Sequence, residues 1–143
     1  IEIFFLFREE KSLICYKHNY QTMNSSYKDL DVYKLTIDFV TILYACTAKF
    51  PKEEQFGLVS QMRRAAVSIP SNIAEGAARQ GNKEFIHFLY IALGSKAELE
   101  TQLIIASNLH FISEVDYEHL QRKLDEIGKM LGGLIRFRKS LMG

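Results

Sequence analysis

The chain has 143 residues, of which 48% are hydrophobic and 24% charged, and its formal net charge is +1. That length fits one domain with a sizeable core, and the near-neutral balance excludes binding of polyanions by overall charge alone. Two prolines and eight glycines leave few obligatory breaks, which argues against a many-turned β fold.

Two cysteines, Cys15 and Cys46, have no metal-ligand spacing and are too few for a disulfide framework. They read as reduced thiols in a cytoplasmic protein. The apolar stretch Ile3 to Phe7 is too short for a membrane span or a secretory signal, and Arg8, Glu9, Glu10 and Lys11 follow it. Residues 1–22 lack a clear period, and Met23 follows them. We read Met23 as a natural or alternative start and residues 1–26 as an irregular arm. A short strand or helix packed on the domain is the alternative.

From Tyr27 the pattern is helical. The first helix is expected from about Leu30 to Lys49, stopped by Pro51. Its apolar residues form two stripes: Tyr33, Ile37, Val40 and Tyr44, and Leu35, Phe39, Ile42 and Cys46. A helix apolar on two sides needs two partners, one of which can come from another subunit.

The second helix is expected to start at Pro51–Glu53 and to end near Gln80, with Gly81 as a left-handed cap. Leu58, Met62, Ala66, Ile69, Ile73 and Ala77 form its apolar stripe. Gln61, Arg64, Ser68, Ser71, Glu75 and Arg79 form the opposite face. Pro70 predicts a kink near residues 66–70, or a break in which Asn72 and Glu75 cap a second helix. In the kinked form Asn72 and Glu75 satisfy backbone groups that Pro70 frees.

The third helix is expected from Asn82, as N-cap, to about Asn108, lined by Phe85, Phe88 or Leu89, Ala92, Leu99, Leu103 and Ala106. Gly94, Ser95 and Ala97 leave room there for close approach. The fourth is expected from Ser113 to about Leu141, with Tyr117, Leu120, Leu124, Ile127, Leu131 and Leu134 as its apolar stripe. Short connections between four such helices imply an all-α, antiparallel up-down-up-down bundle over residues 27–143.

Charge is segregated along the chain. Residues 97–121 hold five acids and no Lys or Arg. Residues 61–96 carry five bases against two acids, and residues 122–143 six against two. Arg63, Arg64, Arg79 and Lys83 form the leading candidate phosphate site, because guanidinium groups bind phosphate bidentately. The competing reading pairs these arginines with Glu75, Glu84 or the acidic segment, holding helices in register. Arg136, Arg138 and Lys139 are a second, weaker candidate, since such a cluster also complements a helix C-terminus. Few aromatics besides Phe137 interleave with these bases, so no base-stacking surface is indicated.

Catalytic and metal chemistry find little support. Glu84 and His87 have the Glu-x-x-His spacing of di-iron bundles, but no second motif completes the set. Cys46, Ser68 and Ser71 have no His–Asp pairing nearby in sequence, and no Gly-rich phosphate loop occurs. Neither an enzyme nor a cofactor is expected.

The run from Phe56 through Arg63-Arg64, Ser68-Ile69-Pro70-Ser71-Asn72 and Ala74-Glu75-Gly76 resembles the proteins encoded in bacterial 23S rRNA intervening sequences. Tyr27-Lys28-Asp29-Leu30 and Phe88-Leu89-Tyr90-Ile91-Ala92-Leu93-Gly94-Ser95, with Glu98-Leu99-Glu100, are similar to the same family. The resemblance covers about residues 27–141. It implies a four-helix bundle without catalytic activity that assembles into a ring, typically a homopentamer. Relatives include accessory proteins of diversity-generating retroelements, associated with nucleic acid and a reverse transcriptase. Together these readings give an oligomeric bundle that binds nucleic acid, with structured RNA favoured. A protein adaptor that binds no nucleic acid is the alternative.

Overall fold

The computed structural model describes residues 26–143, so the expectations about Met23 and the leading arm fall outside the described residues. Four helices make up the fold: α1 Asp31–Thr47, α2 Leu58–Ala77, α3 Asn82–Asn108 and α4 Glu114–Ser140. Each packs on its chain neighbours, and α1 closes the ring of contacts against α4. This is the expected antiparallel up-down-up-down bundle.

A 3-10 turn, Tyr27–Asp29, leads into α1. Ser26 starts it by accepting from Lys28 N at 3.3 Å, while its own N–H donates to the Asp29 carboxylate at 3.0 Å. In α1 the buried line is Val32, Thr36, Phe39, Leu43, Cys46 and Thr47. It runs between the two expected stripes, of which only Phe39 and Cys46 are buried. Threonines can sit there because their hydroxyls donate inside the helix, Thr36 to Tyr33 O at 2.6 Å and Thr47 to Leu43 O at 2.8 Å. Ile37 and Tyr44 stay exposed on the flank facing α2.

The α1–α2 connection differs from expectation. Residues 52–54 form a separate 3-10 turn, and α2 begins only at Leu58. Glu54 supplies the missing cap, its carboxylate accepting from Leu58 N at 3.0 Å. From there α2 runs unbroken through the buried Pro70, which rules out two separate helices. It ends at Ala77, and Gly81 is not its left-handed cap. Gly81 has an extended backbone (φ −139°, ψ 150°) and is the N-cap of α3, the place expected for Asn82.

Close helix approach occurs at a different glycine from the one expected. A Cβ on Gly94 would meet nothing within 4 Å, whereas one on Gly76 would lie 2.6 Å from Phe88 Cβ and 2.8 Å from Phe85 Cδ2. Gly76 is what lets the end of α2 lie against the start of α3. The C-terminus of α3 closes with His110 in the left-handed region (φ 58°), as Phe111 N donates to Ala106 O at 2.9 Å and His110 N to Ser107 O at 3.0 Å. Ser113 then caps α4 as expected, accepting from Asp116 N at 3.1 Å. The predicted core line of α3 is buried, with Leu89 in it and Phe88 only half-buried; in α4 Leu120, Leu124, Ile127, Leu131 and Leu134 are buried and Tyr117 is half-buried.

Candidate nucleic-acid interface

Antiparallel packing brings the end of α2, the start of α3 and the end of α4 to one pole of the bundle. Arg138 fastens α4 to α3 across a separation of 56 residues, donating through Nη1 to Asn82 Oδ1 at 2.7 Å. Its guanidinium lies 4.4 Å from the Phe85 ring centroid. Burial lowers its pKa to about 10, which leaves it charged at neutral pH. Lys139 beside it donates to Tyr90 OH at 2.9 Å, with its ammonium 5.3 Å from the Tyr90 ring centroid. Arg79 pairs with Glu75 at 2.8 Å and lies 5.2 Å from the Phe88 ring centroid. Lys83 and Arg136 complete the pole as exposed side chains without an ion pair among the described residues.

Five of the seven candidate bases are thus brought together, each contributing differently. Arg138 is spent on Asn82 and Phe85. Arg79 is half neutralised by Glu75. Lys139 is held at the Tyr90 hydroxyl but stays exposed. The three bases with partners each lie over an aromatic ring of α3, so aromatics do interleave with this charge. Distance in sequence hides two of these contacts, because Phe85 and Tyr90 sit about fifty residues before Arg138 and Lys139; Phe88 lies nine residues after Arg79 but on the next helix.

The other two candidates stand apart. Arg63 and Arg64 lie about 20 Å along α2 from its C-terminal end at 1.5 Å per residue. Arg63 also points away from solvent partners: its Nε donates to Thr47 Oγ1 at 3.0 Å and its Nη2 to Tyr44 O at 3.3 Å. The guanidinium stacks 4.4 Å from the Tyr44 ring centroid. It therefore holds the C-terminus of α1, where a cation complements the dipole; the Tyr44 carbonyl it reaches also accepts from Ala48 N at 3.1 Å. Arg64 is exposed on the polar stripe.

The Pro70 motif has a different job from the expected one. Asn72 donates to Ser68 O at 2.8 Å and Ser68 Oγ at 2.9 Å, and Ser68 Oγ shares a hydrogen bond with Ser95 Oγ at 2.8 Å. Pro70 frees the carbonyl four residues before it, Ala66 O, and Asn72 does not reach that group. The motif is a polar bolt between α2 and α3. Glu75 plays no part in it, being paired with Arg79.

Among the described residues no group of three His, Cys, Asp or Glu side chains could hold a metal ion, and Glu84 and His87 are both exposed. Cys46 is a buried free thiol. Burial pushes its pKa up, Asp116 adding to the rise and Lys49 opposing it. No helix among the described residues is long and apolar enough to cross a membrane.

The described residues thus form an all-α four-helix bundle with an aromatic-backed basic pole. The family model of the 23S rRNA-intervening sequence protein matches residues 28–133, and the chain belongs to that family. It is also similar to a crystal structure from Bacteroides thetaiotaomicron VPI-5482, described as a protein of unknown function from the S23 ribosomal protein family. The identity is 27% and the TM-score 0.69, covering 73% of this chain and 95% of the other. No curated protein matches the chain.

Proposed function

We propose that the protein is a non-enzymatic, cytoplasmic oligomer that binds structured RNA through its basic pole, several copies pooling their charge. The carrying observation is the convergence of Arg79, Lys83, Arg136, Arg138 and Lys139 at one end, with Lys83 and Arg136 exposed. Cations on a rigid end match a phosphate backbone, and releasing counterions from that backbone drives the binding. Self-association is supported by the second half of α3, which carries apolar residues outward as well as inward. Ile104, Ile105 and Leu109 there are 49%, 43% and 52% exposed. Neighbouring exposed apolar side chains of this size mark a surface that a partner covers. The resemblance suggests a pentameric ring.

The test is affinity for a folded RNA measured across a salt series. Affinity should fall steeply with salt, and Lys83→Gln with Arg136→Gln should flatten the slope by about 0.7–0.9 per lost phosphate contact. Binding that ignores salt, or a double variant with an unchanged slope, would sink the proposal. A second reading, a protein adaptor, is favoured by Arg63 and Arg138, whose guanidinium groups serve the bundle itself. It predicts no RNA binding at any salt.

A further inference from the structure

We infer that the outer strip on the first half of α3 takes unpaired nucleotides of an RNA in preference to its duplex stems. This rests on the reading above, that the basic pole binds RNA, and names which part of the RNA it holds. Lys83, His87, Tyr90 and Gly94 recur at spacings of four, three and four residues, which aligns them along one face of the helix. All four are exposed. Tyr90 presents a ring that is 49% exposed, and His87 a second ring one turn earlier, edge-on to Phe88 at 5.8 Å. Gly94 leaves the surface beyond Tyr90 open, since even a Cβ there would meet nothing within 4 Å. Cations border the strip on both sides, Arg79 from the end of α2 and Lys139 from the end of α4.

Exposed rings bordered by cations are the layout of single-strand recognition: each base stacks on a π face while neighbouring phosphates meet positive charge. A duplex cannot use the rings. Its bases are stacked on one another, and A-form RNA buries its major-groove edges in a deep, narrow groove. Duplex stems would therefore gain only the phosphate contacts. Glu84 and the Glu75 paired with Arg79 dilute the charge of the strip, so stacking carries a larger share of the binding.

The experiment compares the full chain binding a labelled unpaired RNA of about 12 nucleotides, a length within single-strand site sizes, with binding of the matching duplex. The single strand should bind about tenfold more tightly or better. Tyr90→Ala should lower its affinity about 5- to 100-fold, the worth of one stacked base. Because Tyr90 also accepts from Lys139, Tyr90→Phe is the control for that contact and should keep single-strand affinity, whereas Tyr90→Ala should lower single-strand affinity at least about fivefold more than duplex affinity. Tyr90 supports no core packing, and matching far-UV circular dichroism would establish that the variants are folded. A duplex bound as tightly as the single strand, or a Tyr90→Ala protein that binds like the parent, overturns the inference and leaves the basic-pole reading standing. No binding of either RNA overturns both.

Discussion

Replacing Arg63 with alanine separates a structural arginine from a ligand-binding one. The side chain donates to Thr47 Oγ1 at 3.0 Å and to the Tyr44 carbonyl at 3.3 Å, and stacks on the Tyr44 ring. A hydrogen bond from a charged donor contributes about 1.5–3 kcal/mol. The longer second bond adds less, and the ring contact about 0.5–1 kcal/mol. Alanine returns a few tenths through helix propensity. The net loss is about 2.5 kcal/mol, or roughly 10 °C in Tm at about 4 °C per kcal/mol for a bundle of this size. Circular dichroism melts at one fixed protein concentration measure it, since assembly makes Tm concentration-dependent. RNA affinity of the folded variant should match the parent. The neighbouring Arg64→Ala should leave Tm within about 2 °C, because exposed substitutions change stability by about 0.5 kcal/mol or less. If Arg63→Ala kept its Tm and lost RNA affinity, the guanidinium would face ligand and the reasoning would be wrong.

Four further outcomes follow from the packing. Gly76→Ala should destabilise by about 2 kcal/mol in urea unfolding, because Phe88 Cβ is fixed to its helix and cannot retreat from 2.6 Å; equal stability would mean α2 and α3 are looser than described. His110→Gly should stabilise by about 1 kcal/mol by relieving the left-handed backbone at φ 58°, and a loss instead would show that the imidazole holds the turn. With Cys15 changed to serine, Cys46 should react with thiol reagents at least about tenfold more slowly in the native protein than in denaturant, its thiol being buried and its pKa raised. Fast native labelling would contradict that burial. Ile104→Glu with Ile105→Glu should release smaller species in sedimentation while keeping helical content, and an undisturbed assembly would move the subunit contact elsewhere.

How much of this was legible in the sequence depended on the range of the interaction. The end of α3 and the Ser113 cap of α4 follow from residues within one turn of each other and match the structure, and the start of α3 differs only in that Gly81, not Asn82, is the N-cap. The core lines of α2, α3 and α4 emerge from helical spacing alone. The line in α1 did not, because Thr36 and Thr47 look polar in sequence but satisfy their hydroxyls within the helix. With those two counted as polar, the flanks looked like the faces. The start of α2 was misplaced because Glu54 caps it from four residues away, with a 3-10 turn between. At the candidate site the seven bases were all visible, but their division was not. Arg63 is claimed by Thr47, 16 residues earlier, and Arg138 by Asn82, 56 residues earlier. Only folding shows which cations remain for a partner.

The most direct test of the account is light scattering of the protein on a sizing column, run with a folded RNA at low salt. A complex holding two or more 16.5 kDa chains should elute with the RNA and part from it when salt is raised. A 16.5 kDa monomer eluting apart from the RNA at low salt would contradict it.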